Sequence, residues 1–115
     1  MNNFEEPDTL ELLFTMQRKL ADAINSDRYP SGTEERISAL CTAMIHETIE
    51  LQRLTNWKWW KNPNEFDTKN AREELIDIWH FLIQASIELN LQPKDILEEY
   101  TKKNKINHQR QKDDY

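Results

Sequence analysis

Two acidic pairs stand out by type and spacing: Glu47 with Glu50, and Glu74 with Asp77. Residues three apart lie on one side of a helical turn, so each pair projects two carboxylates in a common direction. Two such helices packed antiparallel would face four carboxylates together. Anions cannot be gathered where water is scarce without cations, and an all-oxygen donor set favours Mg²⁺, or Mn²⁺ in its place, over zinc. The competing explanation is a pair of solvated helix faces, which a chain with 21 acidic residues offers by chance. Placement tips the balance towards a cation site. Glu47 interrupts an apolar stripe, and Asp77 lies in Leu75-Ile76-Asp77-Ile78-Trp79-His80-Phe81-Leu82-Ile83, where only it and His80 are polar. Acids holding Mg²⁺ suit phosphate chemistry with water as the nucleophile, because the cation offsets phosphate charge and acidifies a water. Glu47 or Glu50 is then the candidate general base, and spacing does not choose between them.

Lys103, Asn107 and Arg110 recur at helical spacing and offer two cations and an amide to phosphate oxygens. They also belong to a basic run that could be a solvated tail. Trp57, Trp59 and Phe81 have rings that could stack on a base or sugar, while packing is the expectation for Trp59 and Trp79. His80 is either a ligand-binding donor or a core histidine with a satisfied hydrogen bond.

Several elements must position these groups. With 115 residues, one Gly, four Pro, 37% apolar and 31% charged residues, the chain reads as a single all-α domain over 1–115. The expected architecture is a compact bundle of about four helices. Any second layer would come from another subunit, so a homo-oligomer is expected. The first helix starts at Asp8 or Thr9 and carries Leu10, Leu13, Gln17, Leu20 and Ile24 inward. Residues 25–32, with Pro30 and the sole Gly, form a loop, and Thr33 opens a second helix. That helix places Ile37, Leu40, Met44, Glu47, Leu51 and Leu54 on one face. The tryptophan segment 57–61 and Asn62-Pro63-Asn64 end it, and Asp67 caps a third helix running to about Asn90. Apolar on nearly every side, the third helix is expected to be buried. Pro93 begins a fourth helix carrying Ile96, Leu97 and Tyr100 as well as the phosphate-type face.

A net charge of −6 disfavours nucleic acid, whose phosphates are bound by clustered Lys and Arg. The single Cys41 permits no internal disulfide; a buried thiol in a reducing cytosol is expected. Met1 through Glu6 lacks a basic region followed by an apolar run, and no segment is long enough to span a bilayer. A soluble cytoplasmic protein is the expectation.

The motifs also have a familiar order. Met16-Gln17-Arg18-Lys19-Leu20 resembles the first-helix motif of the all-α dimeric dUTPases, relatives of the MazG-type nucleotide pyrophosphohydrolases. His46-Glu47-Thr48-Ile49-Glu50, followed by Trp57-Lys58-Trp59-Trp60-Lys61, is similar to the second motif, and Glu74 through Phe81 to the third. Tyr100, Lys103, Asn107, Arg110, Gln111 and Tyr115 follow the C-terminal pattern. The resemblance implies Mg²⁺ on Glu47, Glu50, Glu74 and Asp77, phosphates on Lys103, Asn107 and Arg110, and hydrolysis of dUTP to dUMP and pyrophosphate. It implies that Gln17 contacts uracil, that Phe81 packs on the deoxyribose, and that His80 and Trp57 line the same pocket. It implies a homodimer.

This chain departs from the pattern in two places. Asp77 and Lys103 are close, without the helical segment that family members usually carry between them, so a neighbouring subunit could replace it and a tetramer becomes an alternative. Ala21 stands where related chains often have a base-contacting Asn. The alternative substrates are therefore dCTP or a modified nucleotide, for a house-cleaning pyrophosphohydrolase. A non-catalytic helical interaction protein or a di-iron bundle using Asp77 and His80 are further alternatives, although ferritin-like sites take Glu-x-x-His from two helices.

Overall fold

The computed structural model describes residues 8–113. Tyr115, the last residue of the C-terminal pattern, lies outside them, as do residues 1–7. The described residues form four helices and no strand: α1 (Thr9–Ile24), α2 (Thr33–Arg53), α3 (Thr68–Glu88) and α4 (Pro93–Lys112). This is the all-α bundle that the composition and periodicity led us to expect.

The helix limits follow from local chemistry. Asn25, in the left-handed region at φ 36°, ends α1 and returns its N–H to the Ala21 carbonyl at 3.0 Å. Glu34 and Glu35 meet the positive end of the α2 dipole. The Asp67 carboxylate accepts from the Asn70 backbone N–H at 3.1 Å and caps α3. Pro93 sits where α4 has no need of its N–H, and Asp95 accepts from the Gln92 N–H at 2.8 Å. Between α2 and α3, the Asn56 side chain donates to the Asn64 carbonyl at 2.9 Å and accepts from its N–H at 2.8 Å. That pair of hydrogen bonds pins the base of the loop carrying the tryptophans.

α2 and α3 make the principal helix pair, α1 lies along α3, and α4 touches α1 alone. Arg36, near the start of α2, pairs with Glu88, at the end of α3, at 3.2 Å, so these two helices run antiparallel. All six residues of the expected α2 stripe are buried or half-buried, Glu47 included.

Three expectations need correction. On α1 the inward residues are Leu10, Phe14, Gln17 and Ala21, with Phe14 only 1% exposed, whereas Leu13, Leu20 and Ile24 face outward. The helix has two apolar stripes, and α3 covers only one. The apolar α3 is not buried all round either: Leu75, Ile76, Trp79 and Leu82 are exposed, because among the described residues α1 and α2 cover only part of its circumference. Cys41 is exposed, one position past the buried Leu40 and turned off the α2–α3 seam.

Candidate functional site

The antiparallel pairing carries Glu47 and Glu50 of α2 to Glu74 of α3, with one carboxylate oxygen from each within 4.8 Å of the others. Glu47 and Glu74 are half-buried in the seam while Glu50 reaches solvent. One oxygen each of Glu47 and Glu74, Oε2, is buried with no hydrogen-bond partner. Buried polar atoms are rarely left so, and each such atom calls for an explanation.

Electrostatics point the same way. Loss of hydration, followed by the charges of Glu50 and Asp77, raises the Glu47 and Glu74 carboxyls above their ordinary value. Asp77 is exposed and outside the tight trio, yet its charge reaches both. The site therefore holds oxygen-only donors, mutual repulsion and two orphaned oxygens. A hard divalent cation such as Mg²⁺ fits that donor set and would satisfy all three conditions at once.

On the other side of α3, Gln17 and His80 line a groove of about 230 Å³ together with Leu13, Met16, Ile76, Trp79 and Ile83. Gln17 is 9% exposed, and its amide is held at both ends. Its Oε1 lies 2.9 Å from His80 Nδ1, and its Nε2 donates to Gln84 Oε1 at 3.0 Å. Gln84 in turn donates to Glu88 Oε1 at 2.9 Å. Phe81 is half-buried and stands one helical turn beyond Asp77 on α3.

Trp57 is exposed in the α2–α3 connection, with the Lys58 ammonium 5.3 Å from its ring centroid and Trp60 edge-on at 6.0 Å. Trp59, expected to pack, is 85% exposed within the single chain. Lys103, Asn107 and Arg110 are exposed on α4. Because α4 touches only α1, helix packing within one chain does not carry them to the acidic cluster on α2 and α3.

Sequence reasoning missed Gln84 and Glu88, and with them Arg36 and Tyr29. A signal existed, because His80, Gln84 and Glu88 are polar residues at steps of four in the largely apolar second half of α3. Gln17, the partner of both His80 and Gln84, lies 67 positions from Gln84.

Comparison with known proteins agrees with the first three motifs: a family model described as dUTPase matches residues 9–94, well over half of the chain, and ends before the C-terminal pattern. No curated protein and no solved structure matches it.

Proposed function

Because the chain belongs to the all-α dimeric dUTPase family, we propose that it is a Mg²⁺-dependent enzyme hydrolysing dUTP to dUMP and pyrophosphate. The observation carrying this reading is the trio of Glu47, Glu50 and Glu74, with two buried carboxylate oxygens that no protein group satisfies. Those three and Asp77 would hold the cation. Bound Mg²⁺, or Mn²⁺, supplies positive charge for phosphate oxygens and lowers the pKa of a water.

The chain's own residues divide the remaining tasks. Glu47 or Glu50 accepts the proton of the attacking water. Lys103, Asn107 and Arg110 hold phosphate oxygens. Phe81, one turn beyond Asp77, takes the deoxyribose and leaves no room for a 2′-hydroxyl. Gln17, His80 and Trp57 serve the base.

We take the working form to be a homodimer. The chain exposes 10137 Å² of surface, against about 6,700 Å² for a folded globular protein of this mass. The surplus on each chain exceeds the roughly 1,000–2,500 Å² per partner that most obligate homodimers bury, so there is ample surface for association. Association would also supply what the single chain lacks, a basic α4 face beside the acidic cluster. A tetramer serves the same purpose.

The direct test is a panel of nucleoside triphosphates with and without Mg²⁺, with products resolved by chromatography. dUTP should give dUMP and pyrophosphate faster than any other member; turnover of a different nucleotide in its place would return the protein to a broader pyrophosphohydrolase class. One observation favours a second reading, in which dCTP or a modified base is the substrate. Ala21 is half-buried on the inward face of α1 one turn past Gln17, and presents only a methyl group there. The same panel separates the two.

A further inference from the structure

We propose that Glu88 and Gln84 are positioning residues that hold the His80 proton on Nδ1 through a one-way chain of hydrogen bonds. The groove is thereby offered an acceptor at His80 Nε2 and selects base rings that carry an imide N–H. The relay stands on geometry alone, whereas its consequence for substrate choice rests on the nucleotide hydrolysis proposed above.

The direction of the chain is set at its far end. A carboxylate only accepts hydrogen bonds. Glu88 is held in place by the Arg36 guanidinium at 3.2 Å and the Tyr29 hydroxyl at 3.2 Å. Arg36 itself stacks 4.5 Å from the Tyr29 ring centroid. Gln84 must therefore turn its NH₂ to Glu88, and the separation is 2.9 Å. That leaves the Gln84 carbonyl for Gln17, whose NH₂ donates to it at 3.0 Å. The Gln17 carbonyl then faces His80 Nδ1 at 2.9 Å, where only an N–H can meet it.

Reversing any one amide sets oxygen against oxygen or NH₂ against NH₂. Gln17 and Gln84 are both buried, so water cannot relieve the mismatch. One carboxylate thus fixes the orientation of two amides and one imidazole on two helices. In the uncharged ring, a proton on Nδ1 leaves Nε2 as a hydrogen-bond acceptor. No other protein group among the described residues bonds that nitrogen, and the ring lines the groove between α1 and α3. Uracil and thymine present a donor at N3, whereas cytosine presents a lone pair there. An acceptor at Nε2 therefore favours the former and repels the latter, independently of the position occupied by Ala21.

The experiment combines imidazole ¹⁵N spectroscopy with kinetics on the full chain. His46 and His108 are the other two histidines, so His80→Gln assigns the His80 signals by their loss. The wild type should show His80 as the Nδ1–H tautomer, the form that free histidine disfavours. Gln84→Leu breaks the chain, and Glu88→Gln replaces the obligate acceptor with a group that bonds either way. Both should mix in the Nε2–H tautomer and lower the dUTP-over-dCTP ratio of kcat/KM by about tenfold or more, the scale of one unmatched polar group. Arg36→Gln loses the ion pair but keeps the carboxylate, and should leave the tautomer unchanged. A wild-type Nε2–H tautomer, or wild-type tautomer and nucleotide ratio in both relay variants, overturns the proposal. If no nucleotide turns over, the hydrolase reading fails while the tautomer measurement still decides the relay. Base selection is then read from the response of the His80 signals to dUMP and dCMP, and equal responses overturn it.

Discussion

Glu74 shows what the cation site demands of a single residue. Its carboxyl, like that of Glu47, is raised because folding strips water from it and sets Glu50 and Asp77 nearby. Each group binds its proton more tightly in the folded chain without metal than in the unfolded chain. The stability this contributes is complete below the ordinary value of 4.5 and is lost as pH rises through the raised values. Melting curves in a chelator should therefore show the midpoint falling from about pH 4.5 upward. With Mg²⁺ the fall should diminish, since binding displaces those protons and strengthens as pH rises. Glu74→Gln removes one of the repelling charges. We expect it to raise the melting temperature in chelator, to abolish the gain from Mg²⁺ and to cut turnover by about 100-fold or more. A variant that keeps both activity and metal response would remove Glu74 from the site. For the sugar, Phe81→Ala should raise the rate on UTP relative to dUTP, and an unchanged ratio would sink the role given to the ring.

At the scale of elements, the α2–α3 pair is what converts two ordinary acidic spacings into a cluster, and α1 buttresses α3 through Phe14. Phe14→Ala should cost about 3–5 kcal/mol, the range for emptying a buried phenylalanine site. Urea unfolding would register this as a lower midpoint, and a loss under 1 kcal/mol would mean that α1 is not clamped where the structure has it. The α3 N-terminus offers a milder test, because Asp67 is its side-chain cap. Asp67→Ala should cost about 1 kcal/mol by the same measurement. His80 and Gln84 reach Gln17 of α1, whereas Glu88 turns to Arg36 of α2 and Phe81 stands one turn beyond Asp77.

For the whole molecule the governing fact is how little apolar surface four helices cover. The radius of gyration is 18.3 Å, against about 13 Å for a globular chain near this length. Buried apolar residues are confined to Phe14, Leu40, Ala71 and Ile83 among those described. Leu75, Ile76, Trp79 and Leu82 of α3 stay exposed, with Ile76 at 54%. Exposed apolar area on this scale is what the homo-oligomer proposed above would cover. Leu82→Glu puts a charge into that surface. Sedimentation should show the variant as a monomer where the wild type is a dimer or tetramer, and the wild-type melting midpoint should rise with protein concentration. A monomeric wild type would leave the exposed α3 face without a partner copy. No helix among the described residues is long and apolar enough to cross a membrane.

By itself the sequence determined what is local. Helical periodicity placed the α2 stripe with Glu47 inside it, Asp67 marked the α3 cap, Pro93 the start of α4, and the acidic spacings the carboxylates that α2 and α3 bring together. Each of these is a relation between residues a few positions apart, governed by 3.6 residues per turn and by the free N–H groups of a first turn. Tertiary structure alone decided which of the two apolar stripes of α1 is covered, that Cys41 and Trp59 are exposed, and that α4 touches only α1. It also joined His80 to Glu88 through Gln17, a residue from another helix. Periodicity names the faces of a helix but not the neighbour each face meets. The orphaned oxygens of Glu47 and Glu74 arise only when two such faces close on one another.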